Sequence, residues 1–539
     1  MREAEFVIVG TGASAVHAAL PLAEAGRRVV LVDIGQTPET SEPIPVSIPE
    51  EDWLSLRTKR KDQHRWFLGE NFEGVPLGPV RVGAQLTPAR QYHQRGAEVL
   101  LPIDPKGFAA MQSVAQGGLG TAWGASSMAY ADEDLRGWPV GRAELQPHYD
   151  AVAQEIGISS PTDDDLTPLL GPIRGLQKPF RLDSNAAFLM ERYQQRREGF
   201  LDRGFALGQA RLAMLTESRP EEGRRAVAYE DMEFWNDAGR SVYRPQFTLE
   251  KLRAMPNVTY LSGCVAEKFF EQEGVTLHGR ELASGEAFTI RGRALILAAG
   301  TLNTTRIVLR SLGVYHQPVP LLSNPYTYYP SLNLWRLGKR TRNRRHSLTQ
   351  LTALYDPDGT RQRFIQPQFY SYRSLLLFKL LKESPLPLQQ SLPILRALVD
   401  YFVIIGVFHP DFPSAEKSLL LRPAENPGDD WLQINYRRSG AERARQQQDE
   451  ERLCRLFREL GAYPLKRVLP GDGASIHYAG TLPSSTEERS LSTSPMGRLH
   501  GTRGVYCTDG SVFPTLPAKG LTFTLMANAR RIANALLQN

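Results

Sequence analysis

The chain has 539 residues, 41% of them hydrophobic and 23% charged, enough apolar surface to bury more than one core. Its 64 basic against 58 acidic residues leave a net charge of +6, small for this length. No basic run is interleaved with aromatics as nucleic-acid binding requires, and Arg340-Thr341-Arg342-Asn343-Arg344-Arg345 reads as a solvated loop.

The first strand signal is Phe6-Val7-Ile8-Val9. It runs into Gly10-Thr11-Gly12-Ala13-Ser14-Ala15 and a helical stretch, Val16 to Ala25, before a second apolar run, Val29-Val30-Leu31-Val32, stops on Asp33. This is a βαβ unit suited to a dinucleotide. Gly10 permits the tight turn, Gly12 lets the backbone approach a pyrophosphate, and small Ala15 keeps the helix close to the strand. The first helical turn, Ala13 and Ser14 included, offers free N–H groups to phosphates, and Asp33 can accept hydrogen bonds from an adenosine ribose.

After Asp33 a polar, proline-bearing stretch to about residue 80 reads as loops and short helices. Gln116-Gly117-Gly118-Leu119-Gly120-Thr121-Ala122-Trp123-Gly124-Ala125 then marks a backbone that is closely approached, either by a ligand or by another chain segment. A helix is expected over 142–157, irregular structure over 160–240, and a helix from Phe247 to Met255. A β-meander is expected over Val258 to Phe270 and Gly274 to Ile290. The buried strand Arg293 to Gly300 leads directly into a helix from about Asn303 to Ser311, returning the chain to the nucleotide sheet.

Alternating runs between 314 and about 470, including Phe402 to Phe408, Ser418 to Arg422 and Trp431 to Tyr436, predict an antiparallel sheet. A helix from about Glu442 to Leu460 closes this part. Apolar segments at Ser374 to Leu381 and Leu392 to Phe402 flank a proline-rich turn. They read as core, as a lid over a hydrophobic substrate, or as a patch resting on a membrane surface. Cys264, Cys454 and Cys507 are too dispersed for a disulfide framework or a zinc site, and no metal is expected. No apolar run is long enough to span a bilayer, and the N-terminus enters its first strand without room for a cleavable signal, so a cytoplasmic protein is expected.

The C-terminal stretch Gly504-Val505-Tyr506-Cys507-Thr508-Asp509-Gly510-Ser511-Val512-Phe513-Pro514-Thr515, followed by Thr522-Phe523-Thr524-Leu525-Met526-Ala527, resembles the closing signature of the glucose-methanol-choline (GMC) oxidoreductases. The βαβ unit, the Gly117 to Gly124 loop, the Ala298 to Leu309 strand and helix, and His477 fall in that family's order. The resemblance implies FAD, with its adenosine end on Gly10, Gly12 and Asp33. The isoalloxazine would lie against the Gly118 to Trp123 loop, and Val265 would meet the adenine through its backbone. Ala299, Asp509, Gly510, Ser511 and Thr522 complete the implied cofactor set. Relatives that anchor the flavin covalently carry a histidine where this chain has Ala122, so a non-covalent flavin is implied.

Ser475-Ile476-His477-Tyr478-Ala479-Gly480-Thr481 resembles the family segment whose histidine removes a hydroxyl proton while hydride passes to flavin N5. A neutral imidazole suits that role. The family's second side chain at the reacting oxygen has no counterpart: the aligned positions are Gly520 and Leu521. Lys519 in a shifted register, Tyr478, His500 or a water remain alternatives for it.

The expected fold is α/β: a Rossmann-like FAD-binding domain from residues 1–160, 240–313 and 470–539, with a discontinuous substrate domain of antiparallel sheet and helices from 161–239 and 314–469. The expected activity is oxidation of a sugar, lipid or secondary-metabolite alcohol, with oxygen, a quinone or a carrier protein as electron acceptor. The alternatives are a redox-neutral flavoenzyme, raised by Gly520, and a flavin-binding subunit without turnover.

Overall fold

The computed structural model describes residues 2–38, 92–231, 233–234, 237–339, 345–371, 385–424 and 430–538. The stretch between Asp33 and residue 80 expected as loops lies largely outside these residues, as do most of the 340–345 basic run and the apolar segment 374–381.

A seven-stranded sheet begins with the predicted βαβ unit. Strand Arg2–Val9 pairs in parallel with Val29–Val32 on one side and with Ala287–Leu297 on the other, and Val29–Val32 pairs in parallel with Val258–Leu261. The strand Ala287–Leu297 is long enough to serve two partners on its far edge. Its first half pairs antiparallel with Gly274–Glu281, and its last three residues pair in parallel with Val505–Cys507. The expected meander therefore begins at Cys264, not at Val258: Val258–Leu261 is an edge strand of the parallel part. Hydrophobic period alone does not reveal which neighbour a short apolar strand takes.

Phe6, Ile8, Leu31 and Ile296 point to one face of this sheet. There they form a core with Ala15, Val16 and Ala19 of helix Ala13–Glu24, Leu249 and Leu252 of helix Pro245–Arg253, and Ala529 and Ala533 of helix Thr522–Gln538. The small residues on the first and last of these helices let them sit close together and carry both N-termini to the same end of the sheet.

A six-stranded antiparallel sheet is ordered Ala462–Pro464, Tyr326–Asn333, Phe402–Phe408, Gln366–Tyr370, Leu351–Tyr355, Phe205–Gln209. Helices Ser184–Gln195, Arg197–Leu201 and Gly440–Leu460 cover one face through Leu189, Tyr193, Phe200, Leu453 and Phe457. The long helix starts with a capping box in which the Ser439 hydroxyl accepts from Glu442 N and the Glu442 carboxylate accepts from Ser439 N. The 160–240 stretch is thus less irregular than expected, since its described residues supply three α-helices, the third at Thr167–Leu170, and an edge strand.

Strands Lys417–Arg422 and Trp431–Tyr436 do not join this sheet. They form a separate four-stranded sheet with Val319–Pro320 and with Ile103–Lys106, the last pairing in parallel. A two-stranded ribbon, Leu322–Ser323 with Tyr478–Ala479, connects the chain before the six-stranded sheet to the His477 segment. Of the 374–402 stretch, the described part forms a helix at Leu388–Leu398 that buries Leu395 and exposes Ile394. No helix among the described residues is long and apolar enough to cross a membrane.

Candidate active site

The turn after the first strand is shaped by one close approach. Gly10 has φ +103°, and a Cβ there would lie 2.5 Å from the carbonyl oxygen of Ala298, so only glycine fits. Gly12 caps helix Ala13–Glu24 without a side-chain hydrogen bond, and the first turn holds no acidic residue. Helix Thr301–Ser311 likewise starts at Gly300 with no side-chain cap. Both helix starts, together with Thr522 at the start of the last helix, line a single cavity. Several unsatisfied N–H groups and positive dipole ends converging on one space suit a pyrophosphate.

At one end of the cavity the Thr11 hydroxyl donates to Asp33 and itself accepts from Gly117 N at 2.9 Å. Burial pushes the Asp33 carboxyl up to about 7, against hydrogen bonds from Thr11 and from the Ile34 and Gly35 backbone. A buried carboxyl that burial disfavours as the anion is suited to further hydrogen bonds from the hydroxyls of a ribose. Asp509 is also raised by burial, although Ser511 N donates to it at 3.0 Å and the Thr304 hydroxyl donates to its other oxygen. Elsewhere on the cavity wall, Asn303 Oδ1 and Arg306 Nε are buried without a hydrogen-bond partner. These orphaned polar atoms and the uncapped helix starts fit a large polar cofactor.

The glycine-rich loop forms the next wall. A Cβ on Gly118 would lie 3.5 Å from Gly12 Cα, and one on Gly120 would lie 2.7 Å from Pro245 Cγ, so the loop lies directly against the phosphate turn and a helix start. The Trp123 indole N–H is anchored on Tyr243 O at 2.8 Å.

Of the residues expected at the site, Gly10, Gly12, Ala13, Ser14, Asp33, Gly118, Gly120, Trp123, Gly124, Val265, Ala299, His477, Asp509, Gly510 and Thr522 all line this one cavity. Gly117, Thr121 and Ser511 do not. Gly117 supports Thr11, the Thr121 hydroxyl bonds the His93 ring and Gly118 O, and the Ser511 backbone N–H holds Asp509.

Lys519 requires a correction. Its side chain is fully buried away from the cavity, where Nζ pairs with Asp134 at 2.5 Å, donates to Leu169 O at 3.2 Å and sits over the Phe364 ring. Gly520 is also off the cavity wall, and a Cβ there would face Ser126 O at 3.5 Å. The other two side-chain alternatives fare no better. The Tyr478 hydroxyl is engaged with Ala109 O, Gly473 O and Met111 N, and His500 bonds Ser492.

His477 reaches the cavity on a strained turn. Ile476, a β-branched residue that rarely takes positive φ, stands at φ +62° just before it. The imidazole is stacked on Phe408, with ring centroids 5.3 Å apart and planes 22° apart, and Nδ1 lies 2.9 Å from Asn324 Oδ1. Burial lowers its pKa to about 4, so the ring is neutral at pH 7. Sequence reading missed Asn324, Phe408, Asn303 and Arg306. Nothing local marks Asn324 or Phe408, whereas Asn303 and Arg306 sit on one face of a helix already assigned to the site.

Among the described residues no group of three His, Cys, Asp or Glu side chains is placed to hold a metal ion, and the three cysteines are free. A search of curated protein sequences finds no match. Among solved structures, pyridoxine 4-oxidase from Mesorbium loti shares the fold, with a TM-score of 0.57 over 99% of both chains at 15% sequence identity. Residues 419–529 match the family model for the C-terminal part of GMC oxidoreductases. The C-terminal segment is thus similar to the GMC oxidoreductases, and the chain as a whole shares the fold of that oxidase.

Proposed function

We propose that this protein is an FAD-dependent enzyme that oxidises an alcohol to a carbonyl compound, with His477 as the base. The observation that carries the reading is His477 in the same cavity as the dinucleotide cradle: a neutral imidazole whose Nε2 has no protein partner among the described residues.

Asp33 would hold the adenosine ribose, and the starts of helices Ala13–Glu24 and Thr301–Ser311 the phosphates. The Gly118 to Gly124 loop would support the flavin ring. Ala122 offers no nucleophile at the position where relatives attach flavin covalently, which supports a dissociable cofactor. When bound, FAD supplies the acceptor for the hydride leaving the alcohol carbon.

The chain's own part is proton handling. His477 Nε2 takes the hydroxyl proton as the C–H bond breaks, and stacking on Phe408 keeps the ring in place. With Lys519 committed to Asp134 and Gly520 bare, no second side chain from that segment directs the substrate oxygen. A bound water would fill that place. The likeness in fold to a pyridoxine 4-oxidase supports an oxidase. The two electrons then pass to oxygen, a quinone or a carrier protein.

The test is turnover with sugar, aliphatic and aromatic alcohols by the wild type and by His477→Gln. The reading expects carbonyl product from one alcohol class, and a loss of about two to four orders of magnitude in kcat in the variant. Product formed at the wild-type rate by His477→Gln would exclude this histidine as the base.

A further inference from the structure

We propose that Asn324 is the positioning residue of His477, fixing the ring in the tautomer that leaves Nε2 bare toward the cavity. The proposal rests on the reading of His477 given above and adds to it the group that determines which nitrogen can act.

Donors and acceptors around Asn324 fix the tautomer. Asn324 is buried, and its Nδ2 lies 2.8 Å from His409 O and 3.0 Å from Pro517 O. Both are backbone carbonyls, which only accept, so the amide nitrogen faces them and Oδ1 faces His477. Oδ1 in turn only accepts, so the hydrogen in the 2.9 Å contact belongs to His477 Nδ1. A neutral imidazole carries one N–H. With it on Nδ1, the lone pair is on Nε2.

The anchor is rigid because Asn324 joins separate chain segments. Its neighbour Pro325 accepts from His409 N at 2.9 Å, and Ser323 N donates to the Asp411 carboxylate at 2.9 Å. Phe408 blocks rotation of the imidazole from one face, and the strained Ile476 turn fixes the backbone. The ionisable groups nearby are directed elsewhere. His409 Nε2 bonds Glu450, Asp411 pairs with Lys417 and bonds Tyr436, and the Tyr478 hydroxyl is held by backbone. Burial therefore acts on His477 without an opposing carboxylate. An amide orients the ring while leaving it neutral. A carboxylate there would favour the protonated form, which cannot act as a base, and would set its second oxygen against the His409 and Pro517 carbonyls.

The experiment uses FAD-loaded protein labelled with 15N-histidine, in wild type, Asn324→Asp, Asn324→Leu and, for assignment, His477→Gln. The wild-type spectrum should show His477 protonated at Nδ1 and bare at Nε2 above pH 5. Asn324→Asp places a carboxylate beside the ring, and the His477 titration midpoint should rise by roughly one pH unit or more. Asn324→Leu should give a mixture of tautomers, with kcat reduced about ten- to a hundredfold and KM little changed. A wild-type His477 protonated at Nε2 would overturn the proposal, as would an Asn324→Leu protein that keeps the wild-type tautomer. The NMR result does not depend on finding a substrate. If it holds while His477→Gln turns over normally, the base assignment fails and the positioning contact stands.

Discussion

Gly10 and Ala298 meet where the first and fourth parallel strands end, so closely that a single methyl group on Gly10 would press within 2.5 Å of the Ala298 carbonyl oxygen. That contact sets the depth of the phosphate turn, and neither side can give way, since one is a positive-φ backbone and the other a strand end bonded to Val9. Gly10→Ala combines a steric clash with backbone strain and should cost roughly 1–3 kcal/mol of stability. Its flavin content after purification should also fall. Thermal unfolding and the flavin-to-protein ratio check both.

Asp33 should make the flavin-free protein sensitive to pH. Its folded pKa of about 7 lies above the ordinary value of 3.8, so the native state holds this proton more tightly than the unfolded chain does. Stability from this group is then greatest at low pH and is lost as pH rises from about 4 to 7. Asn at this position has no charge to bury. The stability of Asp33→Asn relative to wild type, both without flavin, should therefore grow by a few kcal/mol between pH 5 and pH 8. Denaturant unfolding at the two pH values measures this. FAD should narrow the gap, because its ribose hydroxyls stabilise the charged carboxylate only in the wild type.

His477 predicts the acid limb of the pH profile. A base must be unprotonated, and burial lowers its pKa to about 4, so kcat/KM should remain high through pH 6 and fall only near pH 4 to 5. A histidine at its ordinary value would lose activity near 6.5. The profile of kcat/KM on the best alcohol distinguishes the two.

Lys519 should matter for stability and not for chemistry. Lys519→Ala leaves Asp134 buried and unpaired, which should cost about 3–5 kcal/mol. Replacing both, as Lys519→Met with Asp134→Leu, should recover most of that loss. In the double variant kcat should stay within about threefold of wild type, since neither side chain lines the cavity. Thermal melts and steady-state rates on the same preparations check this.

The phosphate turn was legible in the sequence because its requirements are local: Gly10, Gly12 and Asp33 are tied together by one strand, one helix and the next strand. The start of the helix after Ala298 was legible for the same reason. Pairing partners were not. Val258–Leu261 and the Lys417 to Tyr436 hairpin have ordinary strand patterns, and nothing in those patterns states which sheet they join. Lys519 sits next to the expected catalytic position in sequence, yet its side chain turns to Asp134, a choice made by burial on the far side of the segment. Asn324 reaches His477 across 153 residues, through a two-stranded ribbon with no sequence signature of its own.

The most direct test of the whole account is an absorption spectrum of the purified protein, before and after adding FAD, then under anaerobic conditions with the alcohol panel. The account predicts a bound flavin band that bleaches with one class of alcohol, as hydride transfer requires. A protein that shows no flavin band even after FAD is supplied would contradict it, because the cradle built by Gly10, Gly12, Asp33 and Asp509 would then serve some other ligand.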